Sequence, residues 1–222
     1  MRHFLLFLFL FTTSLGNAQT IFSPDDTHLF YGGLEAGANF SQIDGDGFSG
    51  YHKVGFVGEG IVYIKPTKLI GFSLGLGYAQ KGMNEADLTG TALGPAVFRY
   101  RVHLQYVEVP LLLQIFIPGR FHYSAGLAYN RLLSSNEESE DINPIAISPD
   151  LYPFEKQELS GIVSINYKVY GSLFLCGQYE YSITSIRNGA NIPPGYATGI
   201  GHEYNNLMSF RLLYLIGSGN SH

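Results

Sequence analysis

The sequence predicts an all-β protein: an eight-stranded antiparallel up-and-down transmembrane β-barrel with short periplasmic turns and long extracellular loops. Three observations predict it. Apolar residues recur with period two in eight separate stretches, the mark of strands whose two faces meet different surroundings. Short and long connections alternate strictly between those stretches. The apolar face carries Leu, Val, Phe and Tyr, while the opposite face is mostly Gly, Ser, Ala and Asn with single charges. Small side chains and a few paired charges fill the narrow interior of an eight-stranded barrel, and the apolar face then meets lipid.

The chain opens with MRHFLLFLFLFTTSLGNA, which reads as a secretory signal peptide over residues 1–18. Arg2 supplies the positive start, residues 4–11 an apolar run, and Gly16 and Ala18 the small residues at a cleavage site between Ala18 and Gln19. The apolar run is too short to span a bilayer, which needs about 20 residues. Residues 19–30 are expected to form an N-terminal periplasmic segment, 31–216 the barrel and 217–222 a C-terminal tail.

The strands follow in order. Leu34, Ala36, Ala38 and Phe40 alternate with Gly33, Glu35, Gly37 and Asn39. Val54, Phe56, Val62 and Ile64 share a phase opposite Lys53 and Glu59. Over 69–83, Phe72, Leu74, Leu76 and Tyr78 alternate with Ser73, Gly75, Gly77 and Lys81. Over 105–116, Val107 to Ile115 at odd positions alternate with Tyr106, Glu108, Pro110 and Gln114. The stretches 121–130, 159–168, 173–184 and 208–216 repeat the pattern, with Glu180 and Arg211 on the polar face. The connections 65–68, 117–120 and 169–171 are tight turns; 41–50, 84–96, 134–157 and 186–203 are long polar gaps. Paired neighbours place all short turns at one end and all long loops at the other. Tyr31, Tyr63, Tyr78, Tyr129, Tyr167, Tyr181 and Tyr214 lie near strand ends and are expected to form interfacial girdles. A secreted lipocalin-like barrel is the soluble alternative, but its interior is apolar around a ligand.

Composition narrows the function. Charged residues are 14% and aromatics 14%, with 16 Tyr, 16 Phe and 27 Gly among 222 residues, which excludes a disordered chain. Arg2 leaves with the signal peptide, so 12 of the 13 basic residues face 18 acidic ones, and no basic patch points to nucleic acid. The single cysteine, Cys176, has no intrachain partner.

Three segments resemble a known family. GYHKVGFVGEGIVYIKPTKLIGFSLGLGYAQKGM (50–83), LQYVEVPLLLQIFIPGRFHYSAGLAYNRLLSS (104–135) and LSGIVSINYKVYGSLFLCGQYEYSITSI (159–186) resemble hairpins of the PorT-type outer-membrane β-barrel family of Bacteroidetes. The most specific element is Tyr-x-Glu-x-Pro-Leu-Leu, here Tyr106, Glu108 and Pro110 followed by two leucines. The resemblance covers most of residues 31–216 and implies an eight-stranded outer-membrane barrel. A namesake member works in type IX protein secretion, a role not carried over because membership is broad. Two features depart from the family: Gln178 stands where Arg is common, and the chain ends YLIGSGNSH rather than on an aromatic residue.

The inward charges Glu35, Lys53, Glu59, Lys81, Glu108, Glu180 and Arg211 are expected to form a structural lumen network, since isolated charges in a dry interior are too costly. Glu180 and Arg211 sit on consecutive strands, and so do Glu59 and Lys81, so either pair could meet. A continuous ion path is the sharper reading of the same residues. DGDG at 44–47 begins like a calcium loop but has Gly55 where the twelfth-position carboxylate belongs, so a plain turn is expected. NEESED at 136–141 reads as a solvated acidic loop face. His103, His202, Ser134 and Ser135 lie near the expected rim without triad spacing. Pro110 shares the polar phase without disturbing the alternation, so a simple bulge, which flips the phase, does not explain it. A bulge or the rim is instead expected between Arg99 and Tyr106.

The expected function is non-enzymatic: a structural barrel, or one that binds a partner or ligand through loops 134–157 and 186–203. A narrow diffusion pore is the first alternative and an outer-membrane rim hydrolase the second. No cofactor or metal is expected. The expected location is the outer membrane of a Gram-negative bacterium after Sec-dependent export. The expected partners are outer-membrane lipid, the barrel-assembly machinery and another envelope protein.

Overall fold

Eight long strands follow one another around a closed antiparallel barrel. They are β1 (Phe30–Asp44), β2 (Lys53–Ile64), β3 (Ile70–Thr91), β4 (Gly94–Phe116), β5 (Phe121–Glu140), β6 (Gln157–Tyr170), β7 (Leu173–Ser182) and β9 (His202–Ile216). The two-residue β8 (Arg187–Asn188) pairs with the start of β9 through Arg187↔Glu203 and Asn188↔His202. The structure is a computed structural model and describes residues 29–45, 50–91, 94–117, 119–140, 151–192 and 201–216. The cleavage pair Ala18 and Gln19, the tail 217–222 and part of each long loop lie outside the described residues.

Each barrel strand pairs with the next, and β1 returns to β9 from Gly32↔Ile216 to Asp44↔Tyr204. Closure leaves no sheet edge within the membrane, as lipid demands, because hydrocarbon offers no partner to a bare N–H or C=O. Leu76 is 63% and Leu111 58% exposed, and such residues recur around the whole outer surface. A continuous apolar band of that kind belongs in a bilayer and not in water. From Val107 on β4 the outward apolar positions run to Ile117, the residue just after its end. With a rise of about 3.3 Å per residue and a tilt of about 40°, that makes a belt about 25 Å tall.

Beyond the belt the strands continue, and here the structure departs from the sequence reading. The expected 84–96 loop is a hairpin whose pairing runs up to Thr91↔Gly94. The start of the expected 134–157 loop is the upper part of β5, paired up to Arg99↔Glu140. The polarity of the two faces inverts there. Arg99, Arg101, His103 and Gln105 stand on the outer phase of β4, while Tyr100, Val102, Leu104 and Tyr106 are buried inside. Water now surrounds the barrel, so the polar face turns out and the apolar face becomes a core. The phase of β4 itself never slips. The register shift lies across from Gln105 and Tyr106, on β5, where Leu133 is the extra residue between partners Leu132 and Ser134.

The interior is therefore layered. Ile43, Met83, Tyr100, Leu104, Phe154 and Ile186 belong to an apolar plug at the extracellular end. Tyr31, Ile61, Tyr63, Phe174, Leu213 and Leu215 make an apolar cap at the periplasmic end. Polar and charged groups lie between. Two of the seven expected girdle tyrosines, Tyr31 and Tyr63, are thus inside the barrel. Tyr129 and Tyr214 face outward, at 44% and 54% exposure, beside three outward rings that lie outside the expected seven, Tyr123, Tyr170 and Tyr179.

Candidate functional site

Two cations anchor the polar interior. Lys81, on β3, is wholly buried, and its Nζ lies 2.8 Å from Glu108 on β4, 2.7 Å from Glu180 on β7 and 3.8 Å from Glu158 on β6. One lysine thus ties strands across the barrel. The carboxylates are held by further donors: Glu180 accepts from Ser160 Oγ (2.6 Å) and Asn130 Nδ2 (3.2 Å), and Glu158 from Ser182 Oγ (2.5 Å) and Asn205 Nδ2 (2.9 Å). Buried ions need this density of partners to offset their lost hydration.

The second anchor is Arg211 on β9. Its Nη1 lies 3.3 Å from Glu35 and 3.5 Å from Glu59. Those two carboxylates face each other across β1 and β2, an arrangement that repels unless a cation sits between them. Gly37 faces Arg211, and a Cβ there would stand 2.6 Å from the arginine Cα, so only glycine permits the approach. The pairs that strand order allows are not formed. Arg211 faces Cys176 across β7 while Glu180 faces Leu207, and Glu59 faces Gly77 rather than Lys81. The strand stagger, invisible in chain order, exchanges the partners. Lys53 lies outside this network: it stands half-buried at the rim, where its Nζ meets His103 Nδ1.

Pro110 belongs to the same layer. The β3–β4 ladder skips two pairs beside it, between Leu74↔Leu111 and Gly77↔Glu108, and resumes in unchanged register. The gap explains why the phase does not flip. Gly75 makes the space: a Cβ there would lie 1.7 Å from Glu59 Oε1 and 3.0 Å from Pro110 Cγ. Proline ring and carboxylate share room that a side chain on β3 would fill. The remaining cavity, lined by Glu35, Glu59, Pro110, Gln114, Gln178 and Arg211, measures about 20 Å³, room for about one water. Among the described residues the apolar plug lies above this cavity and the apolar cap below it.

A third buried cation was not legible in the strand pattern. Arg187, just after β7, is fully buried in the extracellular plug. Its Nη2 donates to Glu137 Oε2 (2.6 Å) and to the Tyr152 carbonyl (3.3 Å), and its Nη1 donates to Glu137 Oε1 (3.1 Å) and lies 3.6 Å from Glu203. The guanidinium sits 3.5 Å over the Phe154 ring. One side chain therefore clasps β5, the β5–β6 connection and β9. Glu137 comes from the acidic run expected to be solvated, but the Leu133 bulge turns it inward, where Tyr100 also donates to it. Glu158 was within reach of sequence reading, since it shares the phase of Ser160; Arg187 falls in a stretch with no periodicity.

The described residues form no His–Ser–acid hydrogen-bonded set. His103 meets Lys53, and no three His, Cys, Asp or Glu side chains among the described residues are grouped as metal ligands.

The solved structures most like this one include the attachment invasion locus protein Ail of Yersinia pestis, determined with the heparin analogue sucrose octasulfate. It is 11% identical, with 85% of this chain and 100% of that chain covered and a TM-score of 0.45. Neisserial surface protein A is 11% identical over 84% and 97%, at 0.42. OprG of Pseudomonas aeruginosa is 12% identical over 84% and 94%, at 0.38. No protein of curated function matches the sequence. Residues 17–188 match the family described as outer membrane protein beta-barrel domain. The chain belongs to that outer-membrane β-barrel family.

Proposed function

We propose that this protein is a non-enzymatic, non-conducting barrel that presents a rigid extracellular platform to another envelope component. The observation that carries the reading is the filled interior. Lys81 and Arg211 tie the strands together across the middle, and apolar layers close both ends. What projects from the membrane is the β3–β4–β5 ribbon, clasped to its neighbours by Arg187. A folded surface of this kind suits recognition better than transport. The remaining parts of the reading follow the sequence: export by the Sec route with cleavage after Ala18, insertion by the barrel-assembly machinery, and membership of the PorT-type branch found in Bacteroidetes.

The test is planar-bilayer recording beside cross-linked pull-down from detergent-solubilised membranes. A baseline without steady open-state current, together with a partner lost on deleting the ribbon tip at 86–98, is the expected result. Steady current through the wild-type barrel would replace this reading by a narrow pore.

A further inference from the structure

The extracellular rim is not uniform around its circumference. Of the 13 Lys and Arg residues, Lys81, Arg187 and Arg211 are inside the barrel, and Lys65, Lys68, Arg120 and Lys168 lie at the periplasmic turns. At the other end Lys53, Arg99, Arg101 and Arg131 fall on β2, β4 and β5, and Lys156 stands just before β6 with its carbonyl accepting from Leu132 N; Arg2 lies outside the described residues. The opposite side of the rim is built differently. There Tyr181 stacks on Tyr204; between the two sides Tyr51, two residues before Lys53, bonds to Asn206, which reaches Asp44.

The basic positions of β4 form a strip that runs along the strand. Arg99, Arg101 and His103 share the outer phase of β4, so consecutive ones stand about 7 Å apart. The intervening Tyr100 and Val102 are anchored in the plug, which holds the strip on the outside. Lys53, the first residue of β2 at the extracellular rim, meets His103. Arg101 lies 3.7 Å from Glu138, and both stay open to solvent, at 33% and 51%. Lys53 and Arg101 against one carboxylate leave a surplus of positive charge. Immediately below lie Val54 and Phe56, outward and more than half exposed, at the upper edge of the apolar belt. Cations one step above that edge stand at headgroup height.

We propose that this strip binds the phosphorylated headgroup of an outer-leaflet lipid, with the acyl chains lying against Val54 and Phe56. Anionic phosphate oxygens match the Arg101 fork and the Lys53 point charge, and a lipid anchored in the belt presents them where these groups already sit. The proposal needs neither a closed lumen nor a protein partner, so it stands apart from the platform reading.

Native mass spectrometry of the full-length protein tests it, released from phosphatidylcholine nanodiscs that contain either a bis-phosphorylated glycolipid or its dephosphorylated form. The phosphorylated lipid is expected to stay bound and the dephosphorylated one to be lost. Lys53→Gln and Arg101→Gln should each weaken retention about fivefold and together about 25-fold. Lys65→Gln with Lys68→Gln, at the opposite end, should change nothing, and excess inorganic phosphate should not displace the lipid. Equal retention of the two lipids, or undiminished retention by the double variant, overturns the proposal; displacement by inorganic phosphate overturns the lipid as the source of the anion. Should the double variant fail to show a folded, heat-modifiable band, the wild-type comparison of the two lipids decides alone.

Discussion

A single missing side chain sets much of the lumen. Gly75 lets the Glu59 carboxylate and the Pro110 ring occupy one space, and that carboxylate is held by Arg211. Gly75→Ala should push Glu59 off its arginine and destabilise the barrel by about 1–3 kcal/mol, read as a lower urea midpoint for loss of the heat-modifiable band. Pro110→Ala should move that midpoint far less, by under about 1 kcal/mol, because the ladder beside it is already open and no pairing is lost. Lys81 is the opposite case. Removing its ammonium strands Glu108 and Glu180 together in a dry interior, so Lys81→Met should cost about 3–5 kcal/mol. Adding Glu108→Gln should recover part of that loss rather than add to it, since the two groups share one network. If the two substitutions prove additive in urea, Lys81 is not the hub described here.

At the scale of the element, one extra residue decides which way the top of β5 faces. The Leu133 bulge turns Glu137 inward onto Arg187, and the clasp on the β5–β6 connection and β9 depends on it. Glu137→Gln should remove the carboxylate half of that clasp. The barrel should keep its heat-modifiable shift, while protease added to intact cells should cut the β5–β6 connection at least several times faster. Arg187→Leu should give the same two results by removing the other half of the clasp. The upper strands were misread as loops for an instructive reason. Their alternation is intact, but apolar-in and polar-out replaces the apolar-out and polar-in order of the strands below. A reader following one phase down the chain meets an apparent slip between Arg99 and Tyr106, where the solvent changes and the strand does not.

For the whole molecule, the filled interior makes a simple prediction. Cys176 is 2% exposed and stands on the inner face of β7 opposite Arg211. A polyethylene-glycol maleimide should leave the folded band unmodified and shift the heat-denatured band completely. Labelling of the folded band would mean that solvent reaches the lumen and that the layers at the two ends do not seal it. The basic strip on β2 and β4 and the tyrosine-lined side opposite also give the barrel a defined orientation relative to anything that approaches along the membrane plane.

The sequence by itself determined the eight strands, their alternation of tight turns with longer connections, the lipid-facing phase of each and six of the inward charges, Glu35, Glu59, Lys81, Glu108, Glu180 and Arg211. Those properties are local: they follow from period two and from what each residue does in hydrocarbon or water. Tertiary structure alone decided the rest. Which carboxylate meets which cation depends on strand stagger, so Arg211 binds Glu35 and Glu59 and leaves Glu180 to Lys81. Tyr31 and Tyr63 cap the barrel instead of joining a girdle because their phase, and not their nearness to strand ends, sets the face they take. Arg187 becomes a buried clasp because a bulge on a different strand brings Glu137 to it. Each of these needs distances between residues far apart in the chain, and a linear pattern holds no record of them.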